Sequence, residues 1–250
     1  MGVMNILHFD TYGLKNNPPV LLLHGAMALD TFANQYESLS ETHYVIVPHL
    51  HGAGEAVDIS YNPVILQQQL IEMINELHSE PMTIIGHSIG GQLAVMLVAN
   101  NPHLFKKAVF LSPWVIPNEK STNLYCKLAP FTVWAMKSSW IVSMQANYWG
   151  YTKSQANYMA AYSKRMTVEN YCAFFKNTID LAKLPAYKDV TIPMLAVCGS
   201  RESKDIKDSI TLLGENKFCQ VRVLEGAGHD FPMRKSKIIN KWIKEFISQM

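Results

Sequence analysis

The 250-residue chain lacks any apolar run that approaches the ~20 residues needed for a membrane-spanning helix. Its first ten residues, MGVMNILHFD, have neither the basic start nor the apolar stretch of a signal peptide. Ile6 stands where an N-myristoylation motif has Ser or Thr. We therefore expect a soluble, cytoplasmic protein with no membrane span.

Charge is also scarce. Charged residues make up 17% of the chain, the formal net charge is +2, and there is no long basic run. Residues 234–244 are mildly basic, but their apolar residues recur at helical spacing, which indicates a solvated helix face. Nucleic acid is therefore not an expected partner.

Cysteine is rare and scattered, and no two cysteines form a Cys-x-x-Cys pair. A structural zinc site or a redox dithiol would require closer spacing. Free thiols are among the most frequently buried side chains. We therefore interpret all four as buried free thiols: Cys126, Cys172, Cys198 and Cys219.

Hydrophobic residues make up 48% of the chain, enough for the core of one large domain. Short apolar runs typical of buried strands alternate with segments of helical periodicity. This alternation predicts an α/β fold with a mostly parallel sheet flanked by helices. The predicted strands lie within residues 19–25, 43–49, 82–88, 107–113, 191–200 and 217–226, and the predicted helices within 62–79, 89–101 and 236–248.

The pattern changes between the fourth and fifth of these strands. Residues 117–187 contain no clear strand, are rich in aromatic residues and are interpreted as several helices. We expect this segment to be a helical cap inserted into a core made of residues 1–116 and 188–250. Some of its aromatic side chains would line a pocket for an acyl group or a ring, while most would pack against the core.

The strongest motif is GHSIGG, residues 86–91, which fits Gly-x-Ser-x-Gly. It lies between a predicted strand and a predicted helix, the context in which this motif forms a sharp turn that exposes the serine. Gly86 and Gly90 provide the small neighbours that such a turn requires. Ser88 is therefore the candidate nucleophile, at a helix start that favours an anion.

With this motif, the chain resembles the α/β-hydrolase family over nearly its whole length. The stretch LLLHGAM, residues 21–27, is similar to that family's first strand and oxyanion loop. The resemblance implies an oxyanion hole formed by the backbone N–H groups of Ala26 and Ile89. It leaves the His24 side chain a structural role in holding the loop.

The stretch VIVPHLHGAGEA, residues 45–56, resembles the loop that follows the next strand in this family. His49 stands where the family commonly has Asp, and Ala53 where it commonly has His. His49 and His51 form a His-x-His pair with no third ligand nearby in the sequence, so we expect no metal here.

The resemblance also implies a base and an acid in the chain order Ser, acid, His. His229, in a Gly-rich loop after the last predicted strand, is the candidate base. Glu202, three residues after Gly199, is the favoured acid. Asp205 is the alternative acid, although it also suits the first turn of a helix. Glu119, after the preceding strand, is a weaker alternative.

These residues predict a serine hydrolase that cleaves a carboxylic ester through an acyl-enzyme and needs no cofactor. A serine nucleophile argues against dehalogenase and epoxide hydrolase activity, because those relatives use aspartate at this position. The same residues would also serve a C–C bond hydrolase, thioesterase, lactonase or acyltransferase. A non-catalytic small-molecule receptor of the same fold is a further alternative. The natural substrate and the oligomeric state stay open.

Overall fold

A seven-stranded sheet organises the described residues, 7–77 and 80–249, of the computed structural model. The strands occur in the spatial order β1-β3-β2-β4-β5-β6-β7. β1 runs antiparallel to β3, and every other neighbouring pair is parallel. The strands are β1 (Phe9–Tyr12), β2 (Pro19–Leu23), β3 (Tyr44–Pro48), β4 (Met82–His87), β5 (Phe105–Leu111), β6 (Met194–Gly199) and β7 (Cys219–Leu224).

The central strands are continuous apolar runs because both faces of the sheet are covered. Every residue of β2, β3, β4 and β6 is buried. By contrast, β7 lies at the edge of the sheet and exposes three of its six residues, Gln220, Val221 and Val223. The carboxyl ends of the parallel strands meet at one edge, which is where ligands bind in open α/β sheets.

Helices cover both the sheet and its carboxyl edge. Six α-helices of the described residues belong to the α/β alternation, and one of them, Phe231–Arg234, is a single turn. The last of the six, Ser236–Ser248, buries Ile239, Ile243 and Phe246 at helical spacing. Between β5 and β6 lie four more helices, α4 to α7, called here the inserted helices. The bounds are α1 (Ala33–Ser40), α2 (Pro63–Leu77), α3 (Ile89–Asn100), α4 (Glu119–Lys137), α5 (Ser139–Trp149), α6 (Lys153–Ser163), α7 (Val168–Lys176), α8 (Lys204–Leu213), α9 (Phe231–Arg234) and α10 (Ser236–Ser248).

The inserted helices begin at side-chain caps. The Asn118 side chain accepts hydrogen bonds from the amides of Lys120 and Ser121 at the start of α4. Thr152 and Gln155 form a reciprocal capping box at the start of α6. These caps satisfy backbone donors that have no partner within a helix.

Polar contacts fasten the inserted helices to the sheet side of the molecule. The Tyr151 hydroxyl donates to the carbonyl oxygen of Asp30 over 2.7 Å. The Asn170 side chain donates to the Val57 carbonyl over 3.3 Å. The inserted helices are therefore tied to the loops that follow β2 and β3.

The six predicted strands and the parallel sheet are confirmed, whereas β1 was not predicted. The helix predicted over residues 62–79 ends at Leu77, and residues 78 and 79 lie outside the described ranges. The expected absence of a leader falls largely on residues 1–6, which also lie outside them. All four cysteines are free, and Cys126 alone is only half-buried. Across the described part of the chain, no helix combines the length and apolar character needed to cross a bilayer.

Candidate active site

Ser88 lies on a strained turn between β4 and α3, with φ 55° and ψ −118°. The close approach of neighbouring backbone explains the flanking glycines. A Cβ atom on Gly86 would lie 2.2 Å from the Gly90 carbonyl oxygen, and one on Gly90 would lie 2.0 Å from the Leu23 carbonyl oxygen. The strand-to-helix turn expected from Gly-x-Ser-x-Gly is therefore present, and larger side chains do not fit beside it.

His229 approaches Ser88 from the loop between β7 and α9. Its Nε2 atom lies 3.0 Å from the Ser88 Oγ atom, within hydrogen-bonding distance. The His229 side chain is 49% exposed, so the ring is open to the cavity in front of Ser88. A proton can pass between the two side chains directly.

Glu202 lies on the other side of the His229 ring. Its Oε1 atom is 3.5 Å from Nδ1 of His229, and its side chain is almost fully buried. The Glu202 amide donates to the Gly199 carbonyl, forming the turn that follows β6. The structure thus brings Ser88, His229 and Glu202 together in one chain of contacts.

Asp205 has different partners. It lies in the first turn of α8, where its carboxylate accepts hydrogen bonds from the side chains of Asn118 and Ser121. These bonds connect α8 to the start of α4. Glu119, the weaker alternative acid, is the exposed first residue of α4.

Ser112 is a further member of the site that the sequence analysis missed. Its hydroxyl donates to Oε1 of Glu202 over 2.5 Å, and the residue is fully buried at the end of β5 with φ 49°. The only signal in the sequence was a polar residue directly after a buried strand. Its partner became evident only once β5 was seen to pair with β6.

His87, immediately before Ser88, holds the backbone of the loop that carries His229. Its Nε2 atom lies 2.9 Å from the His229 carbonyl oxygen, which can only accept, so Nε2 carries the proton. Burial lowers the pKa of His87 well below its usual value. The ring is therefore neutral and acts as a fixed donor.

Ala26 and Ile89, the expected oxyanion residues, line the same cavity as Ser88. Ile89 is the first residue of α3, so its amide has no acceptor within the helix. The nearby His24 ring lies behind this loop: Nδ1 donates to the Gly25 carbonyl, and Nε2 accepts from the Leu50 amide. Burial lowers the pKa of His24 to about 4, in keeping with a neutral structural side chain.

His49 and His51 are both buried and make separate contacts. His49 donates from Nε2 to Asp10 and accepts at Nδ1 from the Glu55 amide. The His51 Nε2 atom lies 2.9 Å from Oε1 of Gln69. His8, Asp10 and His49 offer ligand atoms within 4.8 Å of one another. A metal would have to displace a bond that His49 already makes, so this group fits a link between β1 and the loop after β3.

A cavity of about 590 Å³ lies in front of Ser88, between the carboxyl edge of the sheet and the inserted helices. The lining includes polar side chains, among them Ser88, Glu202, His229 and Asp230. Aromatic side chains form much of the remaining wall: Trp114, Tyr125, Trp149, Phe174 and Phe175. The cavity is thus suited to a molecule with a polar reacting centre and an apolar body.

Comparison with known proteins agrees with this architecture. A family model described as "Alpha/beta hydrolase family" matches residues 20–238. An alpha/beta hydrolase enzyme from a Medee basin deep-sea metagenome library superposes with a TM-score of 0.78 and 16% identity, over 98% of this chain and 94% of that one. A structure from a study of Nitrososphaera gargenis carboxylesterases gives 0.74 and 18%, over 96% and 93%.

Sequence relatives are either of low identity or matched over only part of their length. A soluble epoxide hydrolase of a Corynebacterium species is 24% identical over 93% of this chain and 90% of its own length. Uncharacterized proteins of Mycobacterium bovis and Mycobacterium tuberculosis are 27% identical over 117 residues, which is 46% of this chain. The chain matches about a third of the length of these mycobacterial relatives, 34%. The structural likenesses, all at low identity, show the fold.

Proposed function

Because the chain belongs to the alpha/beta hydrolase family, we propose that it hydrolyses carboxylic esters of small molecules through an acyl-enzyme formed on Ser88. The observation that carries this proposal is the 3.0 Å distance between Ser88 Oγ and His229 Nε2, with Glu202 on the opposite side of the ring. This arrangement has the geometry of a nucleophile, a base and an orienting acid.

In the first half of the reaction, Ser88 Oγ attacks the ester carbonyl while His229 Nε2 takes its proton. Glu202 holds the ring by its Nδ1 atom and stabilises the imidazolium that forms. The amides of Ala26 and Ile89 donate to the developing oxyanion. The first tetrahedral intermediate then collapses as His229 gives its proton to the departing alcohol, and the acyl group stays on Ser88.

In the second half, His229 removes a proton from water, which attacks the acyl carbonyl and forms a second tetrahedral intermediate. The intermediate collapses as His229 returns the proton to Ser88 Oγ, and the carboxylic acid departs. The exposed His229 side chain supports this step, because water can reach Nε2. No redox or group-transfer cofactor enters this sequence of steps.

The segment from 117 to 187 would then be the cap that encloses the substrate, over a core made of residues 1–116 and 188–250. The aromatic wall of the cavity supports an apolar acyl group as the favoured substrate class. A serine at the elbow favours acyl transfer over epoxide opening, although one sequence relative is an epoxide hydrolase.

The proposal is tested with p-nitrophenyl esters of rising acyl length, assayed with the wild type, Ser88→Ala and Ser143→Ala. Ser143 is exposed on α5 and serves as the matched control. We expect kcat/KM to fall on the order of a million-fold in Ser88→Ala. Ser143→Ala should match the wild type. Equal hydrolysis by the wild type and Ser88→Ala would show the mechanism to be wrong.

A second readout separates catalysis from simple binding. A fluorophosphonate probe should add its mass to the wild type and to Ser143→Ala, but not to Ser88→Ala. Ligand binding without turnover or labelling would instead indicate a receptor that uses the same fold.

A further inference from the structure

A second cavity of about 220 Å³ lies beside the active-site cavity. The two share a wall formed by Ala26, Ala28 and Trp149. Trp149 is the last residue of α5 and the largest side chain of this wall. The second cavity therefore adjoins the active-site cavity at the oxyanion loop and at Trp149.

The lining of the smaller cavity is mainly apolar and comes from three of the inserted helices. Its three polar residues are Thr132, Gln145 and Ser163. The Thr132 hydroxyl donates to the Leu128 carbonyl, whereas the buried Ser163 hydroxyl has no hydrogen-bond partner among the described residues. Methionine side chains are flexible and adapt to ligands of varied shape. The apolar lining consists of Met27, Ala135, Met136, Ile141, Val142 and Met159.

We propose that this cavity receives the far end of an unbranched alkyl chain while the ester carbonyl lies at Ser88. Trp149 would then set the chain length at which the acyl group crosses from one cavity to the other. The inference rests on the proposed ester hydrolysis. Each additional methylene that leaves water on entering the cavity is expected to raise kcat/KM about three- to fourfold, until the cavity is full.

Filling the cavity is the sharpest test, because Ala135 lines the smaller cavity and not the larger one. We expect Ala135→Phe to lower kcat/KM for long p-nitrophenyl esters at least tenfold while turnover of the acetate ester stays unchanged. Ile141→Phe is a second filling variant in case the first does not fold. Ala161→Phe, at an exposed position of α6, is the matched control and should keep the wild-type profile.

The opposite change widens the passage. Trp149→Ala should move the preferred acyl chain to greater length. If the wild type hydrolyses the esters but none of the variants changes the dependence of kcat/KM on acyl chain length, the inference is wrong and the proposed function still stands. A wild type that hydrolyses none of the esters would contradict the proposed function itself.

The outer surface of α4 provides a second inference, which does not depend on ester hydrolysis. Lys120, Leu124, Lys127, Phe131 and Trp134 recur at spacings of three and four residues and so form one stripe along the helix. All five are exposed. Phe131 is 68% and Trp134 is 63% exposed, and their rings stack at 5.7 Å. Such large exposed aromatic rings mark an interaction surface.

The next helix also exposes large apolar side chains. α5 begins two residues after the last residue of α4, and Trp140, Met144 and Tyr148 are exposed at four-residue intervals along it. Trp140 is 69% exposed. We call these three residues, together with the stripe on α4, the apolar-basic face.

Charge indicates what covers this face. Residues 120–168 contain no Asp or Glu, although the chain as a whole is nearly neutral. Arg165 is paired with Asp58 on the core, whereas the five lysines of this stretch form no ion pair with any residue that the structure describes. The basic residues of this stretch are Lys120, Lys127, Lys137, Lys153, Lys164 and Arg165.

We infer that the apolar-basic face docks on the surface of an anionic lipid bilayer. Trp, Phe and Leu side chains insert at the boundary between headgroups and acyl chains, while lysines attract anionic headgroups. A symmetric contact with a second copy would instead bring two basic surfaces together, which is electrostatically unfavourable. Tyr125 of α4 lines the active-site cavity, so the docked helix would adjoin the pocket.

Co-sedimentation with vesicles tests this inference. The wild type should bind vesicles of phosphatidylcholine mixed with phosphatidylglycerol, bind weakly to phosphatidylcholine alone, and dissociate as salt rises. The double variant Trp134→Ser/Trp140→Ser should lose binding, and Lys120→Gln/Lys127→Gln should weaken it on the order of tenfold or more. Leu14→Ser, at another highly exposed apolar residue, is the control and should bind like the wild type.

Light scattering of the same proteins tests the alternative that a second copy of the chain covers this face. If the wild type binds neither kind of vesicle, the inference is wrong. If it also forms a dimer that Trp134→Ser/Trp140→Ser dissociates, the face is a self-association surface.

Discussion

Ser112 Oγ lies 2.5 Å from Oε1 of Glu202, and both residues are buried. The same carboxylate oxygen lies 3.5 Å from Nδ1 of His229. This one oxygen atom thus accepts a hydrogen bond from the Ser112 hydroxyl at the end of β5 and also faces the His229 imidazole from the loop after β7. The Ser112 bond fixes where the carboxylate points, which makes Ser112 a positioning residue for the proposed reaction.

Removing this donor should weaken catalysis without abolishing it. We expect Ser112→Ala to lower kcat by about 10- to 100-fold, because a hydrogen bond to a charged group contributes roughly 1.5–3 kcal/mol. KM should change little, since Ser112 is absent from the cavity lining. Steady-state kinetics with a p-nitrophenyl ester measure both. Ser121→Ala removes an equivalent bond to Asp205 and should stay within twofold of the wild type; equal effects of the two variants would contradict the assignment.

The two acids after β6 should behave very differently. Glu202→Gln keeps the size of the side chain but removes the charge next to His229, so we expect kcat to fall by about 10³- to 10⁴-fold. Asp205 also lines the cavity, but its carboxylate accepts hydrogen bonds from Asn118 and Ser121, so Asp205→Asn should cost little activity. Kinetics of both variants, with circular dichroism to verify folding, decide the matter. A large loss in Asp205→Asn alone would move the acid role to Asp205.

Asp30 should make stability depend on pH. Burial, with a smaller contribution from Asp10, raises the pKa of Asp30 to about 6, and its Oδ2 atom has no hydrogen-bond partner among the described residues. In the unfolded chain an aspartate releases its proton near pH 3.9. Between about pH 4 and pH 6 the native state therefore binds more protons, and the free energy of unfolding falls as pH rises.

We expect Asp30→Asn to remove this loss. The variant should match the wild type near pH 4 and be more stable at pH 7, by at most about 3 kcal/mol. Urea unfolding at the two pH values measures the difference. The lowered pKa values of His24 and His87 act in the opposite direction, but they are common to both proteins and cancel in the comparison. A variant that is equally destabilised at both pH values would refute this account.

Local patterns in the sequence were sufficient for much of the fold. Runs rich in apolar residues predicted six strands. The central strands among them are continuous apolar runs because parallel strands inside a sheet are buried on both faces. β1, by contrast, reads FDTY and carries no such run, since it is a short, partly exposed edge strand. Its place depends on antiparallel pairing with β3, a long-range contact that a local pattern does not encode.

The site shows the same division. Ser88 and its glycines follow a local backbone requirement, so the motif and its context were enough to predict the turn. Ser112 and His87 act through partners 90 and 142 residues away in the sequence. Such contacts arise only when separate strands and loops meet at the carboxyl edge of the sheet. The small cavity next to Trp149 likewise depends on how three helices pack against the loop after β2.

Ser88, Glu202 and His229 all follow strands of the sheet, whereas α4, α5 and α7 contribute four of the aromatic residues that line the cavity around them. The reacting groups and this aromatic part of the pocket wall therefore occupy separate stretches of the chain. Natural variation or laboratory evolution confined to residues 119–176 can reshape the pocket while the spacing between the three reacting side chains stays the same. We therefore expect the part of the substrate preference that these aromatic residues determine to vary independently of the proposed chemistry.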